Sequence, residues 1–237
     1  MKLIEAQDVS KTFTDGSREI TALEETNFSV EAGEFVAVIG PSGSGKSTLL
    51  TILGGLQQPS KGKVLINGNP FSEVSDDERT KLRFQEIGFI LQASNLVPFL
   101  TVENQLRLVN RVDKTDYKEE KADNLLDSLK ISDLRNKYPN DLSGGEKQRV
   151  AIARALFHEP SVILADEPTA SLDTERAVEV VEILARETKD KEKATIMVTH
   201  DERLIGYCDK VYSMQDGELS LDEEKSKKDK PEAKDLE

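Results

Sequence analysis

Three short stretches hold the residues of this chain best suited to chemistry. Gly40-Pro41-Ser42-Gly43-Ser44-Gly45-Lys46-Ser47-Thr48 fits the pattern G-x-x-x-x-G-K-[ST]. Its glycines let backbone N–H groups turn inward around phosphate oxygens, and a following helix points its positive end at them. Lys46 then reaches the β and γ phosphates, and the Ser47 hydroxyl ligates Mg2+. Asp166 closes the apolar run of residues 162–165. A carboxylate at the C-terminal end of a parallel strand stands where α/β sheets bind ligands, so Asp166 is expected in the Mg2+ shell. Glu167 faces another way and can polarise an attacking water, a role worth about 10²–10⁴-fold in rate. The third stretch is Leu142-Ser143-Gly144-Gly145-Glu146. Ser143 and Glu146 have the spacing of a capping box, but a cap alone does not explain two glycines. As a second phosphate binder the stretch needs a second nucleotide, best supplied by another copy of the chain. These residues imply half of an ATP-driven dimer.

The elements that must hold these groups are legible around them. Residues 35–39 are a continuous apolar run ending at Gly40, as a buried parallel strand reads. Helix formers follow from Ser47 and stop at Gly54-Gly55. Further strands are expected at residues 3–9, 20–30, 62–68, 87–92, 161–165, 194–198 and 211–214. From about residue 93 to 154 the texture turns helical, with helices expected at 101–112, 118–129 and 145–157. This segment reads as a helical subdomain inserted into an α/β core. A helix over 174–189 presents one apolar face, and alternation with strands predicts a doubly wound sheet. Residues 1–220 are expected to be one domain. From Leu221 onward the chain is Asp, Glu, Lys and Ser with one Pro, and is expected to be a solvated tail.

The chain has 237 residues, 37% hydrophobic and 32% charged, with net charge −13. That charge argues against a general grip on nucleic acid and against direct binding to anionic lipid. No run of about 18 apolar residues is present, so no direct membrane insertion is expected. The start lacks the apolar core of a secretory signal. Cys208 is alone, expected to be partly buried, and fits a reducing cytosol. His158 is expected to be a satisfied surface residue.

Leu142 to Glu146, followed by Lys147-Gln148-Arg149, resembles the signature motif of ATP-binding cassette (ABC) ATPases. The likeness covers nearly all of residues 1–220 in the family's order. Gly40 to Thr48 resembles its Walker A motif, Gln92 its Q-loop glutamine, and residues 162–167 its Walker B motif. Ser171-Leu172-Asp173 resembles its D-loop, and His200 its switch histidine. The resemblance implies a P-loop NTPase (RecA-like) core with an antiparallel β subdomain and an inserted α-helical subdomain. It implies that Ser143 and Gly145 contact the γ-phosphate held by the other subunit's Walker A motif. Gly144, Glu146 and Asp173 belong to the same nucleotide-binding set. Gln92 would sense Mg2+ and couple to the transporter, His200 would contact the γ-phosphate, and Phe13 would lie against adenine.

Residues 95–102 and 168–173 are similar to the MacB/LolD/FtsE-like branch, and within it to the ATPases of Gram-positive haem exporters. That resemblance implies a membrane permease of the MacB/FtsX type as partner, a place on the cytoplasmic face of the membrane, and haem export as a reading. Detoxification of antimicrobial peptides and FtsE-like signalling to cell-wall enzymes stay open in the same branch. Soluble ABC ATPases of DNA repair or translation are the distant alternative. Repair members carry a long coiled coil between the two motifs, and translation factors carry two cassettes.

Overall fold

The computed structural model describes residues 1–16, 18–170 and 172–227. In chain order the strands are β1 (Lys2–Asp15), β2 (Arg18–Glu31), β3 (Phe35–Ile39), β4 (Lys61–Ile66), β5 (Asn69–Pro70), β6 (Ile87–Ile90), β7 (Val162–Asp166), β8 (Ala194–Val198), β9 (Lys210–Gln215) and β10 (Glu218–Leu221). The helices are α1 (Lys46–Leu53), α2 (Asp76–Glu86), α3 (Val102–Asp113), α4 (Glu119–Ser128), α5 (Gly144–Leu156) and α6 (Thr174–Asp190).

Two sheets form. One is antiparallel in the order β2-β1-β4-β5, and the other runs β10-β9-β3-β8-β7-β6. In the second sheet only the β9–β10 pair is antiparallel. Strand β3 shows why its sequence is an unbroken apolar run. Phe35, Ala37 and Ile39 pack into one core, while Val36 and Val38 pack into another. Successive side chains of a strand point to opposite faces, so a strand covered on both sides needs apolar residues throughout. Helices α3 to α6 cover the first face through Leu106, Leu126, Val150 and Val181. Helix α1 and the antiparallel sheet cover the second through Leu49, Leu53, Ile4 and Leu23. Each such side chain, fully buried, contributes about 1.5–3 kcal/mol.

The structure departs from the sequence expectations in several places, among them the unexpected short strands β5 and β10 and Cys208, which is buried rather than partly buried. Strands β1 and β2 run past their apolar portions, because the ladder continues through polar or exposed pairs such as Thr12↔Thr21 and Phe13↔Ile20. Helix α2 was not expected at all. It buries no residue fully, and only Leu82 and Phe84, both half-buried, pack against the cores, so its apolar signal is weak. Its start is fixed instead by the Ser75 hydroxyl, which accepts from the Glu78 N–H at 3.3 Å, and by three acids in its first turn. His158 is not a surface residue. It is half-buried, with its ring stacked on Phe84 at 5.4 Å and Nε2 3.2 Å from the Ile87 carbonyl, and burial pushes its pKa down. The expected solvated tail begins later than Leu221. The Asp222 N–H donates to the Val211 carbonyl at 2.8 Å, and the Val211 N–H donates to the Ser226 hydroxyl at 2.9 Å. Polar residues fold back here because β9 still has backbone groups to satisfy. Residues 228–237 of that tail lie outside the described residues.

Candidate functional site

The phosphate loop spans the turn from β3 to α1, and its backbone is one that glycine alone adopts easily. Gly45 has φ 108° and caps α1 without a side-chain hydrogen bond, so nothing of its own blocks the helix's first N–H groups. Gly40 has φ 152°, and a Cβ there would meet the Met214 carbonyl. Together with Ser42, Gly43, Lys46, Ser47 and Thr48, these glycines line a cavity of about 440 Å³. Lys46 Nζ donates to the Gly40 and Pro41 carbonyls at 2.8 and 2.7 Å, which holds the ammonium at the mouth of the loop. Ser44 is buried and does not line the cavity, and its hydroxyl has no hydrogen-bond partner. Uncapped donors and a positive side chain suit a polyphosphate.

Asp166, Glu167, Gln92 and His200 enter the same cavity from the ends of β7, β6 and β8. The Asp166 carboxylate oxygens lie 3.3 and 3.5 Å from Ser47 Oγ. Burial raises the Asp166 pKa, the Ser47 hydrogen bond opposes it, and the neighbouring Glu167 charge adds to it. Hydroxyl, carboxylate and amide oxygens are hard donors that suit Mg2+. Among the described residues no group of three or more His, Cys, Asp or Glu could hold a metal alone. That fits an ion taking its other ligands from phosphate and water. Glu167 has φ 48°, left-handed backbone that costs a non-glycine residue about 1–3 kcal/mol. Its N–H donates to the Val198 carbonyl at 2.9 Å, and its Oε2 lies 2.8 Å from His200 Nδ1. The turn thus aims neighbouring acids differently, one at Ser47 and one at His200.

Sequence reasoning missed the side chains that hold the segment after Gln92. Gln105 of α3 is fully buried: its Nε2 donates to the Val97 and Leu100 carbonyls at 2.7 and 3.2 Å, and its Oε1 accepts from the Val97 N–H at 3.2 Å. Helix α5 grips the same segment. Arg154 donates to the Asn95 and Ser94 carbonyls at 2.8 and 3.0 Å, and Gln148 donates to the Leu91 carbonyl at 3.3 Å. A polar residue in a helical pattern reads as surface, and no local signal says that a loop passes over it. Ala22 and Val198 also line the cavity, and neither carried a sequence signal.

The remaining candidates stand elsewhere. Ser143, Gly144, Gly145, Glu146, Asp173 and Phe13 do not line this cavity. Ser143 caps α5 with a full capping box: its N–H donates to Glu146 Oε2 at 2.6 Å, and its hydroxyl accepts from the Glu146 N–H at 3.4 Å. The Ser143 backbone bond lowers the Glu146 pKa first of all. Ser143 and Gly144 are exposed, whereas Gly145 is buried against Arg176 and Leu172. Asp173 caps α6 through the Arg176 N–H at 3.0 Å. Ser171 lies outside the described residues. Phe13 is 39% exposed, with Lys11 Nζ 5.2 Å from its ring centroid. Cys208 is buried, and burial pushes its thiol pKa up.

This geometry has known counterparts. The ABC transporter family profile matches residues 23–170. A protein of Staphylococcus haemolyticus is 49% identical over 221 residues, covering 92% of this chain and 99% of that one. A protein of Staphylococcus saprophyticus is 47% identical over 219 residues, covering 92% and 98%. Both carry the provisional name hemin import ATP-binding protein HrtA. Among solved structures, the ATP-binding cassette MJ0796, a dimer in a post-hydrolysis state bound to ADP and Pi, superposes with a TM-score of 0.84 at 36% identity, covering 92% of this chain and 98% of that one. A cassette of Clostridium perfringens, cbiO1, part of an ABC transporter complex, gives 0.82 at 31% identity, covering 93% and 87%. The nucleotide cradle and the cassette fold are therefore one inheritance, and the chain belongs to the ABC transporter family as an ATP-hydrolysing subunit whose hydrolysis is coupled to transport.

Proposed function

We propose that two copies of this chain close head-to-tail around two ATP molecules, and that the closure drives a MacB/FtsX-like permease from the cytoplasmic face of the membrane. One observation carries this reading. Helix α5 presents Ser143 and Gly144 exposed at its N-terminus, yet neither lines the chain's own phosphate cavity. A helix start that offers N–H groups outward suits a phosphate brought by another protomer.

In this reading Lys46 and the first turn of α1 bind the β and γ phosphates, and Phe13 lies against the adenine. Ser47, Asp166 and Gln92 hold Mg2+, which when bound offsets phosphate charge. Glu167 takes a proton from the attacking water, and His200, 2.8 Å away, orients it and contacts the γ-phosphate. Ser143, Gly144, Gly145, Glu146 and Asp173 act on the partner's nucleotide. ATP drives closure only because it binds the closed pair more tightly than the open one.

An apolar groove of about 840 Å³ supports the permease as partner. Phe84, Phe89, Leu91, Leu108 and Val112 line it, with Arg154 beside them. An amphipathic helix docks into such a groove. Arg154 also clamps residues 94 and 95, so motion of α5 reaches both the groove and the segment behind Gln92. Among the described residues no helix is long and apolar enough to cross a membrane, so spanning it falls to the partner.

Haem is the proposed cargo, supported by the relatives' shared name, and the branch resemblance favours export. The name those relatives carry favours import as the second reading. The permease chooses the cargo, so the test is genetic: deletion causing haem sensitivity supports export, and loss of growth on haem iron supports import. A division defect without either points to signalling. For the cassette, Glu167→Gln should trap an ATP-loaded dimer on size exclusion, and hydrolysis at the parent rate would remove Glu167 as the base. Ser143→Arg should abolish turnover while monomers still bind ATP, and lost binding would move Ser143 into its own protomer's site.

A further inference from the structure

One side chain bridges the segment after His200 and the start of α6. Arg203 sits in the short 3-10 turn Glu202–Tyr207. Its Nε and Nη2 donate to Asp201 Oδ1 and Oδ2 at 2.9 and 2.7 Å, and its backbone N–H donates to Oδ1 at 3.1 Å. The third fork atom, Nη1, donates to Thr174 Oγ1 at 3.1 Å, in the first residue of α6. Asp201 is anchored in turn, its N–H donating to the Thr199 hydroxyl at 3.1 Å.

From Thr174 the contacts continue. Asp173 caps the same helix and pairs with Arg176 at 3.3 Å. Arg176 packs so closely on Gly145 that a Cβ there would lie 3.0 Å from its Cδ. In the other direction His200, just before Asp201, meets Glu167 at 2.8 Å. An unbroken route therefore runs from Glu167 and His200 to Asp173 and Gly145.

We propose that Arg203 is a positioning residue that couples the two nucleotide sites of the dimer. The proposal rests on the head-to-tail reading above, in which Glu167 and His200 serve one nucleotide while Asp173 and Gly145 serve the other. A shift of His200 toward its γ-phosphate turns Asp201, and the rigid guanidinium passes that turn to the first residue of α6. Exposed ion pairs usually contribute little, but a two-pronged Arg–carboxylate pair is the exception, and its planar fork moves as one body. A lysine, as a point charge on a flexible stem, cannot span Asp201 and Thr174 together.

The test is the ATPase rate of the purified chain against ATP concentration. Two coupled sites allow a Hill coefficient up to about 2. The parent is expected near that limit, while Arg203→Ala, Arg203→Lys and Thr174→Val are each expected near about 1. The affinity of monomers for a fluorescent ATP analogue should change less than about twofold, since neither residue lines the phosphate cavity. If Arg203→Ala fails to fold, Thr174→Val carries the test, because it removes one hydroxyl and keeps the shape. A parent-like Hill coefficient in the variants overturns the coupling role of Arg203. A parent coefficient near 1 with no ATP-dependent dimer overturns the two-protomer reading instead, and Arg203 falls with it.

Discussion

Gly45→Ala separates the conformational demand of the phosphate loop from its demand for space, with Gly43→Ala as the control. Both glycines have positive φ, 108° and 81°. An alanine in such backbone costs about 1–3 kcal/mol at either position. The surroundings differ. A Cβ on Gly43 meets nothing within 4 Å, whereas one on Gly45 would lie under 3.0 Å from the Ala22 carbonyl of β2. Forcing backbone apart adds about 1–3 kcal/mol. Gly45→Ala should therefore cost about 2–6 kcal/mol in all, and Gly43→Ala about 1–3. In a chain of this size 1 kcal/mol shifts Tm by about 2–4 °C, so Gly45→Ala should melt roughly 2–12 °C below Gly43→Ala. Calorimetric melts without nucleotide measure the difference. Ala22 also lines the phosphate cavity, so relief of the clash displaces a wall of the binding site. The rise in Tm that ATP gives the parent by mass action should then be largely lost in Gly45→Ala. Equal melting of the two variants would refute the claim that β2 presses on the loop at Gly45.

Two further perturbations read the site's surroundings. Gln105→Leu leaves the Val97 N–H and the Leu100 carbonyl without their Gln105 partner, while the Val97 carbonyl keeps only the Leu100 N–H. It should lower stability by at least about 2 kcal/mol, seen as a lower urea midpoint at unchanged m value, and an unchanged midpoint would show that the loop holds itself. Asp166→Asn tests the strained charge. Burial sets the folded pKa of Asp166 above its ordinary value of 3.8, so the folded chain binds this proton more tightly than the unfolded one. That contribution is complete below the ordinary carboxylate pKa and is lost as pH rises through the raised value. Without nucleotide, Asp166→Asn should therefore melt higher than the parent at pH 7, with the gain shrinking as pH falls through the carboxylate range. An equal or lower Tm at pH 7 would show that Ser47 and Lys46 already offset the burial.

Residues 35–39, 162–165 and 194–198 were legible as central strands because both faces of each are covered, which makes hydrophobic run and strand coincide. The phosphate loop was legible for a related reason: Gly40 and Gly45 answer backbone demands that few other residues meet, so their spacing carries the shape. Helix α2 was hidden because it buries no residue fully and packs on the cores only through the half-buried Leu82 and Phe84, so its Ser75 cap and acidic first turn are the clearest marks of it. Gln105, Gln148 and Arg154 were hidden because their partners are backbone carbonyls 5 to 60 residues away, and a carbonyl has no identity in a sequence. The cap and the outward-facing signature share the same Ser143 and Glu146, so the motif alone could not say which role its geometry serves.

The fold-back at Asp222 and Ser226 bears on how the protein can be handled. A truncation at Leu221 would strip the end of β9 of a donor to the Val211 carbonyl and an acceptor for its N–H. Exposed strand groups of that kind template pairing with other chains. Affinity tags, fluorophores and surface tethers are therefore best attached beyond Lys227, and versions trimmed shorter should be watched for clumping before any loss of activity is blamed on the nucleotide site.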